Sequence, residues 1–590
     1  MPRPASTGAL HRGDGSSGAP TAVAPTSGAP SPRSPTRTRT WHRHLAWAAA
    51  AGVPLLFLGV FFGWPVSTLV ARGFTTNGAL DLGGFGEVFA RPRTWRIIGL
   101  TLAQATAATA ICVTLGVPGA YVLHRCTFPG RRAVRAFVTL PFVLPTVVVG
   151  VAFRALLIDG GPLGFLHLDG TFTAILAALV FFNYAVVVRM VGGMWERLDP
   201  RSEQAARALG APPWRAFVSV TLPALGPAIA SAASLVFLFC ATAFGVVLIL
   251  GGGRFGTIET EIWIETTQFL DLRAASVLSV VQLVIVAAAL WVAARARARR
   301  ERALHLTAPT RATRPLRRGD AVAVAVTGVV VIALALPLVT LAAGSLRTPT
   351  GWGLRNYANL ATTGGANALS VTVWEATGNS LRAAVDATAA SVVIGGLVAL
   401  VVSRRPRGRA GRSAVSLLDA AFMLPLGVSA VTVGFGFLLT LDRPLGIPID
   451  LRTSGLLVPI AQAVVAVPLV VRSVLPVLRA IDPRLREAAA TLGASPGRVL
   501  GSVDGPIAAR ALGLAVGFAF AVSLGEFGAT AFLARPDAPT LPVVIFRLIG
   551  RPGADNHGMA LAAAVVLAAL TAAVMAVAER LRPPSQLAEV

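Results

Sequence analysis

Leu198–Ile229, LDPRSEQAARALGAPPWRAFVSVTLPALGPAI, and Ile481–Leu512, IDPRLREAAATLGASPGRVLGSVDGPIAARAL, are two copies of one segment, 283 residues apart. Laid over one another, Asp199, Pro200, Gly210 and Pro223 fall on Asp482, Pro483, Gly493 and Pro506. The same offset carries Phe244-Gly245 onto Phe527-Gly528 and Thr257 onto Thr540 without a gap. Upstream, FVLP ending at Pro145 and FMLP ending at Pro425 match with a three-residue slip. Two fused copies of one unit follow, related as a parallel repeat, because an even number of membrane crossings returns the chain to the same side.

Each copy of the segment carries the punctuation of a short helix. Asp199 and Asp482 stand as N-caps, Pro200 and Pro483 occupy the first helical position, and Gly210 and Gly493 supply the left-handed residue that ends a helix. A second short helix is predicted from Pro212-Pro213 and from Ser495-Pro496. Ala205, Ala206 and Ala208 in one copy, and Ala488, Ala489 and Ala490 in the other, offer small side chains that let a partner surface approach the backbone.

Outside these segments the chain is apolar. Hydrophobic residues make up 54%, charged ones 13%, and the mean hydropathy is +0.69, values that place it in a bilayer. A hydrocarbon core needs about 20 apolar residues per helix. Twelve such stretches are present, at 45–70, 97–123, 134–157, 172–192, 228–250, 275–295, 321–343, 380–403, 415–440, 454–478, 508–533 and 559–578. Their length favours helices over barrel strands, which would alternate over about ten residues. The expected fold class is an all-α polytopic membrane protein of two homologous six-helix repeats.

A net charge of +25 would suggest nucleic acid in a soluble protein, so the placement of the arginines decides its meaning. They gather in Arg125, Arg131, Arg132 and Arg135, then in Arg295–Arg318, then in Arg404–Arg412. The opposite connections mix signs, as in Glu259, Glu261, Glu265 and Asp271. This asymmetry predicts both termini in the cytoplasm and leaves nucleic acid no role. The chain has no lysine, so it lacks the phosphate-binding loop of an ATPase. Cys112, Cys126 and Cys240 form no paired spacing, and neither a disulfide framework nor a metal site is expected.

The predicted organisation is a disordered cytoplasmic tail at 1–44, a first repeat at 45–295, a basic linker at 296–320, a second repeat at 321–582 and a short tail at 583–590. The Pro-, Ser- and Gly-rich tail cannot bury enough apolar surface to order itself. The first apolar run begins late and is long, which reads as an anchor helix and not a cleaved signal.

Both loop segments resemble the EAA loop of binding-protein-dependent ABC importer permeases, whose pattern is E-A-A, then Gly, then a spacer, then I-x-L-P. Gln204-Ala205-Ala206, Gly210 and Val220-Thr221-Leu222-Pro223 match in the first copy, with Glu203 just before. The second has Glu487-Ala488-Ala489 and Gly493 but departs at Gly505-Pro506. The resemblance implies docking of two ATPase subunits on Glu203, Gln204, Ala205, Ala206 and Gly210, and on Glu487, Ala488, Ala489 and Gly493. It further implies ATP and Mg bound by that partner and none by this chain, an extracytoplasmic solute-binding protein, and a type I ABC importer fold. The FPGR near Phe128, VLILGGG near Gly251, SLGEFGA and TLPVVIFRLIG are similar to thiamine permeases and the related iron(III) permeases, so the implied solute is one of these.

Glu526 lies in an apolar span, where a carboxylate costs about 2.5–3.5 kcal/mol on insertion scales. It is read either as a contact for a cationic solute or gate, or as a structural carboxylate bonded to nearby backbone; its repeat counterpart is Ala243. Asn183 is a further pathway candidate, with Gln282 and Gln462 behind it, although such amides often only bridge helices. Pro141, Pro145, Pro425 and Pro468 predict kinks, and Gly251–Gly253 a turn. A secondary transporter is the alternative; it would call for buried charge pairs and no docking loops. A membrane-embedded enzyme would need a catalytic cluster within the spans, and the seven histidines are scattered.

Overall fold

The computed structural model describes residues 49–76, 79–300, 313–404, 408–444, 447–448 and 450–580. The expected tails and the middle of the expected linker, 301–312, lie outside these residues. The protein is an all-α polytopic membrane protein. Among the described residues nine helices are long and apolar enough to cross a bilayer, and two bent helix pairs add up to two crossings. The described strands are three two-residue ladders.

The straight spans of the first half are Ala49–Phe74, Pro92–Arg125, Phe172–Arg197, Pro213–Ala241 and Leu272–Val292. In the second half, Arg318–Leu346, Val373–Val402, Leu457–Ala480 and Ala554–Arg580 correspond to Ala49–Phe74, Pro92–Arg125, Phe172–Arg197 and Leu272–Val292, the first, second, fourth and sixth crossings of a half. The fifth is built from Pro496–Ala509 and Ala511–Gly525. From the fourth span onward the halves keep the sequence register: Pro200–Ala208 and Ile258–Thr267 recur 283 residues later as Pro483–Thr491 and Leu541–Ile549.

The third crossing of each half, expected as one span, is broken. In the first half Arg131–Val143 and Thr146–Leu157 meet at 105°. Pro145 excludes its predecessor from the helical region, and Leu144 takes ψ 141°. In the second half Pro425 begins only a tight turn, and the break comes at Val428 and Ser429, with ψ 135° and 152°. Ser429 then caps the short helix Ala430–Thr440, its hydroxyl accepting from Thr432 N at 3.0 Å. The break thus stays within one residue of the 283-residue register, while the proline has slipped three residues from it.

Within each half the second and fourth spans pack closely through small residues. A Cβ at Gly116 would lie 2.6 Å from Val187, and one at Gly395 would lie 2.8 Å from Val470, the repeat counterpart of Val187. The first span of each half instead packs across. Leu58 and Phe62 join the core of the second half with Val433, Phe437 and Val464. Val330, Leu334 and Leu341 join the core that holds most of the first half. The expected linker is partly structured at its end: Arg314–Pro315 pairs in parallel with Cys126–Thr127, and Arg314 bonds Asp320 at 2.8 Å and the Tyr121 hydroxyl.

Candidate functional site

The two loop helices, Pro200–Ala208 and Pro483–Thr491, are built alike. Asp199 accepts from Arg201 N and Asp482 from Arg484 N, both at 2.9 Å. At the other end Gly210 and Gly493 adopt φ +89° and +81°. There Ala211 N bonds Ala206 O at 3.1 Å and Ala494 N bonds Ala489 O at 3.0 Å, the closing bonds of a Schellman cap. No residue of either helix is buried. Leu209 and Leu492, repeat counterparts, are 89% and 88% exposed.

The predicted second short helix is instead the first turn of the fifth span. Pro213–Ala216 runs through a wide turn, Phe217–Thr221, into Leu222–Ala241, and Pro496–Val499 runs through Leu500–Asp504 into Gly505–Gly525. No left-handed residue interrupts either stretch, so the backbone absorbs the irregularity as a π turn and stays helical. Each loop helix is therefore one cap away from a membrane span.

A side-chain latch also joins each loop helix to that span, and the same two positions form it in both halves. Glu203 Oε2 accepts from Thr221 Oγ1 at 3.0 Å. Arg486 Nε donates to Asp504 Oδ1 at 2.7 Å, and Arg404 adds a bond to Asp504 Oδ2 at 2.8 Å. Asp504 is buried and both of its arginines are partly exposed, so the second latch is a part-buried ion-pair cluster where the first is a single hydrogen bond. Glu203 thus turns toward the span, while Gln204 and Ala205 lie on the open side and Ala206 is half-buried. In the second copy Glu487 and Ala488 are open and Ala489 is half-buried.

Between the halves, at the ends of the spans next to the loop helices, lies a cavity of about 1340 Å³. Arg131, Arg132, Arg135 and Val188 line it from the first half, Phe518 and Met575 from the second. Glu196 offsets part of its positive charge, bonding His124 at 2.9 Å and Arg135 at 3.4 Å.

At the far ends of the two fifth spans, four aromatic rings form a closed cycle. Phe244 stacks on Phe527 at 5.4 Å with 22° between planes, and Phe527 touches Phe546 at 5.3 Å. Phe546 meets Trp263 edge-on at 6.1 Å, and Trp263 returns to Phe244 at 6.4 Å. Phe244 and Phe527 are repeat counterparts, and so are Trp263 and Phe546. Counterparts that touch one another lie on the pseudo-two-fold axis relating the halves. Sequence reasoning missed this ring; its signal was four aromatic residues paired by the 283-residue offset.

Glu526 sits beside the ring, at the end of Gly505–Gly525. Its carboxylate accepts from Ala529 N at 2.8 Å and Thr530 N at 3.1 Å, and its carbonyl accepts from Thr530 Oγ1 at 2.9 Å. Both oxygens thus cap the next helical turn and fix the backbone that carries Phe527. Asn183 lies away from the axis, within the first half: its Nδ2 donates to Leu179 O at 3.0 Å and to Cys240 Sγ at 3.4 Å. Gln282 donates to Ala241 O at 3.1 Å. A buried carboxylate the sequence reading placed in an outer loop, Glu259, is fully buried and accepts from Ser429 Oγ of the other half at 2.7 Å.

Residues 113–300 match the family model described as binding-protein-dependent transport system inner membrane component. The chain is 26% identical to the thiamine transport system permease protein ThiP of Salmonella typhimurium over 79% of this chain and 86% of that protein. Against ThiP of Brucella abortus it is again 26% identical, over 90% of this chain and 94% of that one. The sulfate transport system permease protein CysT of Escherichia coli is 32% identical over 39% of this chain and 85% of its own length. A relative of that identity, nearly all of whose length is matched, fixes the family, and the matched first-half residues include the first loop helix. The chain belongs to the binding-protein-dependent transport system inner membrane components, the permeases of ABC importers.

Proposed function

We propose that this permease imports thiamine, with a separate extracytoplasmic protein delivering the vitamin and two copies of a separate ATPase docking on the two loop helices. The observation that carries the docking is the pair of similarly built loop helices without a buried residue, each capped by a left-handed glycine and each latched to a fifth span. The choice of thiamine is supported by the thiamine permeases, which align over 77–90% of the chain, whereas the sulfate permease aligns over 39%. No observation favours a secondary transporter.

The arginine asymmetry supports a cytoplasmic loop-helix face and cytoplasmic termini. ATP binding on the partner closes its two copies and draws Pro200–Ala208 and Pro483–Thr491 together. Because each loop helix is joined by a cap and a latch to a fifth span, that motion reaches the aromatic ring at the span's far end. With the ring closed and the basic cavity present on the loop side, the structure corresponds to the state open toward the cytoplasm. ATP and Mg remain on the partner. Glu203, with its carboxylate on Thr221, acts as a latch, while Gln204, Ala205, Gly210, Glu487, Ala488 and Gly493 meet the partner surface and Ala206 and Ala489 pack behind them. Glu526 serves the pathway by holding Phe527, and Asn183 bridges two helices.

The test is uptake of radiolabelled thiamine, with labelled ferric iron in parallel, by cells with and without this gene under starvation for each nutrient. Loss of thiamine uptake alone is expected. Loss of iron uptake alone, or of neither, overturns the thiamine reading.

A further inference from the structure

The aromatic ring has chemistry beyond closure. Phe244 and Phe527 are 6% and 3% exposed and present flat faces to one another across the axis. Closing an apolar pathway requires only bulk, which leucine or valine would supply. Here instead four aromatic rings converge from two repeat-related pairs, one pair stacked and the other edge to face. One helical turn before Trp263 on the same helix stands Glu259, fully buried, with Oε2 on Ser429. The Gln282 side chain lies against this carboxylate, but Oε1 makes no well-formed hydrogen bond among the described residues, and neither does Trp263 Nε1. The repeat counterpart of Glu259 is Pro542, so this carboxylate is not required by the six-helix unit. A carboxylate buried with an unpartnered oxygen calls for a positive charge or a proton. Aromatic faces in a dry site attract organic cations through their quadrupoles.

We propose that Phe244, Trp263, Phe527 and Phe546, once parted, form a cation-recognition site on the pathway, with the Glu259 carboxylate as its counter-charge. The ring faces now stacked on one another become the walls that grip a flat, positively charged heteroaromatic solute as it crosses the axis. This rests on the thiamine reading, thiamine being such a cation, and it assigns the selectivity of the permease itself, separate from that of the delivering protein.

The experiment is the rate of radiolabelled thiamine uptake into proteoliposomes holding the permease with its ATPase, at saturating delivery protein. The variants are Phe244→Leu/Phe527→Leu, Phe244→Tyr/Phe527→Tyr and Glu259→Gln. Leucine keeps the apolar bulk and removes the π face, so the leucine pair is expected to lose roughly tenfold in rate. The tyrosine pair keeps the face and should stay within about twofold of the wild type. Glu259→Gln keeps an acceptor for Ser429 and loses the charge, and should slow uptake as well. Wild-type rates in the leucine pair or in Glu259→Gln overturn the proposal, as does equal impairment of the leucine and tyrosine pairs, which would mean packing alone. If the leucine pair fails to insert, Glu259→Gln decides. No thiamine uptake by the wild type overturns the thiamine reading itself, and this site with it.

Discussion

Replacing Gly210 and Gly493 together by valine separates local strain from docking. Both glycines are in the left-handed region, at φ +89° and +81°, and a Cβ on either would meet nothing within 4 Å. A Cβ therefore collides with no described part of this chain, and the intrinsic cost is the backbone conformation, about 1–2 kcal/mol per copy for an L-residue. That shifts the population of each intact cap by a factor of about 5–30. Such a shift leaves the membrane spans inserted, since the loop helices contribute no buried residue to the core. Docking needs both caps at once, so the two penalties multiply. Uptake of labelled thiamine, normalised to the amount of permease in the membrane, should fall by more than tenfold. Asparagine tolerates the left-handed region, so Gly210→Asn/Gly493→Asn should retain more uptake than the valine pair. Wild-type uptake in the valine pair would refute the role given to the loop helices.

The two latches differ in strength, and mutation should show it. Thr221→Val removes one hydrogen bond to a carboxylate, at a cost of about 1.5–3 kcal/mol at most, whereas Asp504→Ala removes the shared partner of two arginines and costs more. Thermal unfolding in detergent should rank them in that order, and an equal or reversed ranking would count against the asymmetry. Glu526→Ala frees two buried backbone N–H groups and should lower thermal stability and thiamine uptake together, with Glu526→Gln recovering part of both. Because the first span of each half packs in the core of the other, two chains divided within 301–312 should each be degraded alone and accumulate when expressed together; stable accumulation of either alone would contradict the exchanged packing.

The repeat, the loop caps and the positions of the spans were legible because each depends on local chemistry: an Asp-Pro start, a left-handed glycine, about 20 apolar residues. The exchange of the first spans was not, since Leu58 and Phe62 look like any lipid-facing or core residues until their neighbours are known. The break of the third crossing was half legible. Pro145 marks it in the first half, but Pro425 points three residues away from the actual break, where the cap at Ser429 decides. Glu526 left two readings open, and only the hydrogen bonds to Ala529 and Thr530 reveal its use as a cap. The latch was hidden because its partners change chemistry between copies, Glu203 with Thr221 becoming Arg486 with Asp504. Pairs that keep their positions while exchanging identities show themselves only when the two copies are compared in space.

The docking of two ATPase copies is tested most directly by cross-linking from the loop helices. Ala205 and Ala488 are exposed, and the three natural cysteines, Cys112, Cys126 and Cys240, are all buried. Cysteines introduced at 205 and 488, treated with a short bifunctional thiol reagent in membranes that contain the ATPase, should each capture one ATPase subunit, and the double variant should capture two. Capture from neither position, with the permease still active in thiamine uptake, would contradict the docking.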